Sequence, residues 1–190
     1  MLTKYVVRGL TLGCLLGVVA CSSDKGPAEQ AIKAADTALS GVKAEAAQYV
    51  PEQVQPVEAA LQGAKDVFAK GDYTAALNSA KDLEAKAKEL GSAAAAKKAE
   101  MSKQWDDLAA GVPEAIRTVQ GRVDALAQAK KLPAGMDKAK LEELTTALVT
   151  LTQEWTEATD AFTAGKVAEA VDKGRGVNDK VTELKTTLGI

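Results

Sequence analysis

From Leu141 to Phe162 the apolar side chains keep helical time: Leu141, Leu144, Leu148, Leu151, Trp155, Ala158 and Phe162 follow one another at intervals of three and four. That spacing puts them all on one face of an α-helix, whereas a half-buried strand would need alternation. The rhythm recurs along the chain. Ile32, Ala35, Leu39, Val42 and Ala46 keep it, then Val54, Val57, Leu61, Ala64 and Phe68, then Tyr73, Leu77, Ala80, Leu83, Ala87 and Leu90. Further on come Met101, Trp105 and Leu108; Ile116, Val119, Val123 and Leu126; and Val167, Val171, Val177, Val181, Leu184 and Leu188. Alanine, glutamate, lysine, leucine and glutamine abound and there are only 5 prolines, so propensity agrees with periodicity. The expected fold is all-α: an elongated antiparallel bundle of long, Ala-rich helices.

Breakers divide the pattern. Val50 precedes Pro51 and avoids the α region, which ends the first helix, and Pro51 suits the first turn of the next. Pro56 is expected to kink that helix near its start. Gly71-Asp72 reads as a C-terminal stop followed by an N-cap. Gly91-Ser92 is expected to end or bend the third helix, Gly111-Val112-Pro113 to interrupt a fourth, and Leu132-Pro133-Ala134-Gly135 to turn. Gly165 repeats the stop. A shift of 94 lays Val54, Val57, Leu61, Ala64, Phe68 and Gly71 on Leu148, Leu151, Trp155, Ala158, Phe162 and Gly165. A shift of 84 lays Ile32, Ala35, Leu39 and Val42 on Ile116, Val119, Val123 and Leu126. The chain therefore reads as two three-helix units, about 28–90 and 113–188, joined by a bridging helix within a bundle spanning 28–190.

The N-terminus carries an address. Lys4 and Arg8 precede an apolar run, Leu10–Ala20, too short to cross a bilayer as a helix and of the size of a secretory apolar core. Val18-Val19-Ala20-Cys21 follows, and then the polar stretch 22–27. These residues resemble the lipobox of bacterial lipoproteins. The resemblance implies a signal peptide over 1–20, cleavage before Cys21, acylation of the Cys21 thiol and its new amine, and a membrane held through those acyl chains. Residues 21–27 would form the lipidated cysteine and a tether of at most about 20 Å. Ser22 resembles an outer-membrane sorting residue, which implies a periplasm-facing outer-membrane address. Cleavage removes Cys14, Lys4 and Arg8, so the mature chain has no cysteine pair for a disulfide and keeps 22 basic against 26 acidic residues, a net −4.

Two resemblances concern the helical part. Phe68–Leu77, with Gly71-Asp72-Tyr73 at its turn, looks like the helix-turn-helix of tetratricopeptide repeats, though a 34-residue period is missing. Tyr49-Val50-Pro51-Glu52, Ala60-Leu61 with Ala64, and Gly71-Asp72-Tyr73 resemble Ala-rich bacterial lipoproteins with a helical domain of unknown function, type 4398. The second unit departs from that pattern at Leu132-Pro133-Ala134 and at Gly165-Lys166-Val167. This family implies fold and address but no activity.

Chemistry is sparse. Without histidine there is no His-based triad, His-ligated metal or neutral-pH proton shuttle. A formal charge of −2 argues against an electrostatic nucleic-acid binder. Asp106-Asp107 and Glu142-Glu143 diverge around a helix rather than converge. Lys97-Lys98 with Lys103 is diluted by Glu100, and Gly174-Arg175-Gly176 follows no strand, so neither forms a phosphate site. Gly174 is expected to admit a close helix. Trp105 and Trp155 suit either a core or a ligand groove, and Tyr49 and Tyr73 would cap the bundle end with hydroxyls turned to a partner. No cofactor, metal or enzymatic activity is expected. The reading is a lipid-anchored envelope protein with a structural or protein-interaction role and an envelope protein partner. The alternative is a lipoprotein gripping peptidoglycan or a lipid between helices, through small residues such as Ala80 and Ala87 facing Gly174.

Overall fold

The computed structural model describes residues 24–190, so the lipobox Val18–Cys21 lies outside the described residues. Five helices follow in order: α1 (Lys25–Tyr49), α2 (Pro51–Ala69), α3 (Tyr73–Gln128), α4 (Lys138–Thr163) and α5 (Val167–Leu188). There is no strand among the described residues. The fold is the all-α helical bundle that the apolar stripes demand.

The main departure is α3. Gly91-Ser92 and Gly111-Val112-Pro113 interrupt nothing, and a single helix of 56 residues, about 84 Å at 1.5 Å per residue, runs through both. Packing outweighs local propensity at each place. A Cβ on Gly91 would stand 2.9 Å from Val42 Cγ1, so this glycine admits α1 rather than ending α3. Ser92 Oγ donates to the Lys88 carbonyl at 3.0 Å, satisfied within the helix. Pro113 brings no N–H to the carbonyl of Ala109, but Ala109 is exposed and water can take that place. Val112 and Val119 are fully buried on either side and hold the segment helical.

The third helix of the first unit, the bridge and the first helix of the second unit are thus one spine. Helices α1 and α2 pack on its N-terminal half, α4 and α5 on its C-terminal half. Polar contacts give the directions. Thr74 donates to Asp24 at 2.7 Å and Lys98 meets Glu45 at 2.9 Å, so α1 runs parallel to α3. Arg175 donates to Gln104 and, further along both helices, Asn178 lies beside Gly111 and Val112, so α5 runs parallel to α3. Chain neighbours run antiparallel: Lys43 pairs with Glu58 and Lys65 with Asp36 across α1 and α2, and Lys173 pairs with Glu157 and Lys180 with Glu154 across α4 and α5.

The stop between helices occurs twice in the same form. After α2, Lys70 N–H donates to Asp66, Gly71 to Phe68 and Asp72 to Val67; after α4, Ala164 donates to Asp160, Gly165 to Phe162 and Lys166 to Ala161. Gly71 (φ 87°) and Gly165 (φ 78°) supply the left-handed residue each turn needs. Asp72 also caps α3 as expected, accepting from Ala75 N–H at 3.1 Å.

Apolar burial falls into two clusters along the spine. One is built on Leu39, Leu61, Leu83, Leu90 and Trp105, the other on Val119, Val123, Leu148, Leu151, Val177 and Val181. Leu108 and Trp155 pack against both and join them. No polar or charged residue is buried among the described residues, so cohesion rests on apolar packing. Leu132, Met136 and Leu141 of the α3–α4 connection and early α4 pack against the second cluster. The longer turn of the second unit thereby covers its core. At the other extremity α1 starts at Lys25, so Gly26 and Pro27 belong to its first turn rather than to a tether. Early in a helix Pro27 removes no intrahelical N–H.

Gly111 is exposed and a Cβ there would meet nothing within 4 Å, whereas a Cβ on Gly91 would meet Val42. Gly111→Ala is expected to stabilise the protein by about 0.5–1 kcal/mol, as an exposed helical position gains from losing glycine. Gly91→Ala is expected to fall short of that gain or destabilise. Urea midpoints of the two variants check both, and no gain at Gly111 would contradict a continuous α3.

Candidate functional site

Trp105 is 4% exposed and belongs to the interior, not to a partner surface as the sequence allowed. Its ring stacks on Trp155 with centroids 5.3 Å apart and on Phe162 at 4.8 Å, the ring planes nearly parallel in both. Gly174 makes the room, as expected: a Cβ there would lie 3.1 Å from Leu108 Cδ1, 3.4 Å from Trp105 and 3.5 Å from Trp155. It faces these residues and not Ala80 or Ala87. The stack forms where the end of α4 and the start of α5 meet the middle of the spine.

The two tyrosines do not share a surface. Tyr49 closes α1 and is buried, with Lys98 Nζ 5.9 Å over its ring. Tyr73 opens α3 and is half-buried; Phe68 meets its ring edge-on at 5.1 Å and Lys25 Nζ lies 5.9 Å from it. Because α1 and α3 run parallel, the rings are separated by the rise from residue 73 to residue 98, roughly 37 Å. They mark opposite ends of the first unit instead of capping one.

One surface concavity was not legible from adjacent residues. Between the N-terminal half of α4 and the C-terminal half of α5 lies an open groove of about 740 Å³. Ala139, Ala147, Leu151 and Leu184 give it apolar walls, and Glu142, Glu143 and Glu183 stand around it. The hydroxyls of Thr146 and Thr150, which also line it, donate to the carbonyls of Glu142 and Thr146 on their own helix, at 2.9 and 3.1 Å. Their hydrogen bonding is met without a ligand. Glu142 and Glu143 diverge on α4 as helix geometry requires, but Glu183 approaches from α5, which no pairing along one helix reveals. None of these three carboxylates takes part in a salt bridge among the described residues. Lys180, also lining the groove, is held by Glu154.

Several other charged groups pair with one another along the helices. Lys97 pairs with Glu100 and Lys98 with Glu45, so two of the three lysines of the basic stretch already have acidic partners. Ionisation is displaced at two such surface pairs. The hydrogen bond from Lys173 holds the Glu157 carboxyl below its usual range, the attraction of that charge and a contact with Gln153 adding to it, and Glu157 in turn raises Lys173. Glu45 does the same for Lys98, again chiefly through the hydrogen bond. No group of three or more metal-ligating side chains forms among the described residues, and none of the described helices is long and apolar enough to cross a membrane. No family model, curated protein or solved structure matches the chain.

Two outcomes follow from this geometry. Trp105→Ala removes the ring that Trp155 and Phe162 stack on, and should cost about 3–5 kcal/mol in urea unfolding, the range for emptying a large aromatic from a core. The Glu157–Lys173 contact should contribute fully above the ordinary glutamate range of about pH 4–4.5 and fade as pH falls through the depressed folded value. Glu157→Gln should therefore weaken the acid-side fall in melting temperature while leaving the neutral-pH fold intact, as read by circular dichroism.

Proposed function

We propose that this protein is a lipid-anchored lipoprotein of the cell envelope, with a structural or protein-interaction role and no catalytic one. The observation that carries the reading is Val18-Val19-Ala20-Cys21 at the end of an apolar run and ahead of a polar segment. A single acyl chain binds a bilayer marginally, and several chains on one cysteine hold it durably. The helical part supports the reading by what it offers: a long rod with an apolar interior and charged flanks, suited to presenting surfaces at a distance from a membrane. With α1 starting at Lys25, only residues 22–24 separate Cys21 from the helix, a span of roughly 10 Å. The base of the rod, with Asp24, Thr74 and Tyr73, would then stand against the headgroups. Ser22 favours the outer membrane and a periplasm-facing rod.

Metabolic labelling with palmitate tests the anchor. Wild type is expected to take up label and fractionate with membranes, and Cys21→Ala to lose both. Label retained in Cys21→Ala would refute the assignment.

A further inference from the structure

We propose that the α4–α5 groove is a docking site for a cationic amphipathic helix of a partner protein. This deepens the interaction role proposed above and rests on that part of it, not on the acyl anchor. The groove runs along α4 from Ala139 to Leu151, about 18 Å of helix, so it matches three to four turns of an added helix. Its apolar walls come from small or medium side chains, Ala139, Ala147, Leu151 and Leu184, which let another backbone come close. Such a trough between two helices is the shape that receives the apolar face of a third.

Charge selects the occupant. Glu142, Glu143 and Glu183 lack basic partners among the described residues, while Lys180 is already neutralised by Glu154. A Lys- or Arg-flanked helix would supply the missing counter-charges and bury its apolar stripe between them. Lys138 and Lys140 lie at the first turn of α4 and do not line the groove. The remaining occupants fit less well. A second copy of this chain brings net negative charge, −2 overall, onto an acidic rim. An anionic bilayer or a carboxylate-bearing glycan strand is repelled in the same way. A strand would need an open sheet edge, and there is no strand among the described residues. Position agrees as well. Arg175 meets Gln104 and Asn178 lies beside Gly111 and Val112, so Glu183 is level with a part of α3 beyond Val112, more than about 55 Å along the spine from the Asp24–Thr74 contact. The groove is therefore displayed far from the end of the bundle where α1 begins.

The test uses the full chain in neutral detergent and a synthetic helical peptide with leucines on one face and lysines along both flanks. Binding is followed by fluorescence anisotropy and mapped by backbone amide shifts. Saturable binding is expected, with shifts concentrated at Ala139, Thr146, Ala147 and Leu184. Glu142→Lys, Glu143→Lys and Glu183→Lys together should weaken it about tenfold or more. Asp82→Lys, Glu89→Lys and Asp106→Lys make the same charge change at exposed sites outside the groove and should have little effect. Ala147→Trp, which fills the trough without altering charge, should weaken binding as well. Equal weakening by both triple variants, shifts mapping elsewhere, or equal binding of a glutamate-flanked peptide or a disaccharide-peptide wall fragment would overturn the proposal. Failure here leaves palmitate labelling of Cys21 untouched, so the two readings fail separately.

Discussion

The architecture depends on one unbroken helix. Within α3 the chain carries three glycines and a proline, residues that weaken a helix in isolation, and apolar packing across the axis outweighs them. Val42 comes against Gly91, and Val112 and Val119 are wholly buried beside Pro113. Each tolerated breaker costs on the order of 1–3 kcal/mol, less than the burial of the side chains around it can return. Continuity of the spine fixes how the two units relate. The second cannot swing independently about a loop, because its first helix is the end of the first unit's third.

The junction is reinforced at the same level. Trp105, Trp155 and Phe162 stack over Gly174, and Leu108 and Trp155 belong to the margins of both apolar clusters. Large rings at a seam between units supply contact area at low side-chain entropy cost, and a glycine opposite gives them a flat surface to lie on. Elsewhere the interfaces rest on alanine, valine and leucine, with ion pairs at the margins. Those pairs sit in solvent, so they specify register and direction more than they add stability.

Much of this was legible in the sequence. The stripes of three and four identified the buried faces, Gly71 and Gly165 located two turns that share their hydrogen bonds, and Asp72 was readable as a cap. Gly174 could be read as a site of close approach. The rest depended on long-range contacts. Gly91 and Gly111-Val112-Pro113 look alike as local signals, yet one admits α1 and the other is carried by neighbouring burial, and only the partner helices decide that. Tyr49 and Tyr73 flank α2 in the sequence, but the parallel run of α1 beside α3 sends them to opposite ends. The apolar stripe favoured a core place for Trp105 over a groove, and Phe162, 57 positions away in the chain, stacks on it there. The acidic groove went unseen because its third carboxylate, Glu183, belongs to another helix than Glu142 and Glu143.

The length and straight-through connectivity of α3 have a mechanical consequence. Both units are fastened to the same continuous backbone, so a tilt at one extremity is passed to the other with little lost in bending. Along about 84 Å, a rotation of roughly 10° sweeps the far tip through about 15 Å. A molecule built this way converts slight reorientation of its foot into a large change of reach at its head.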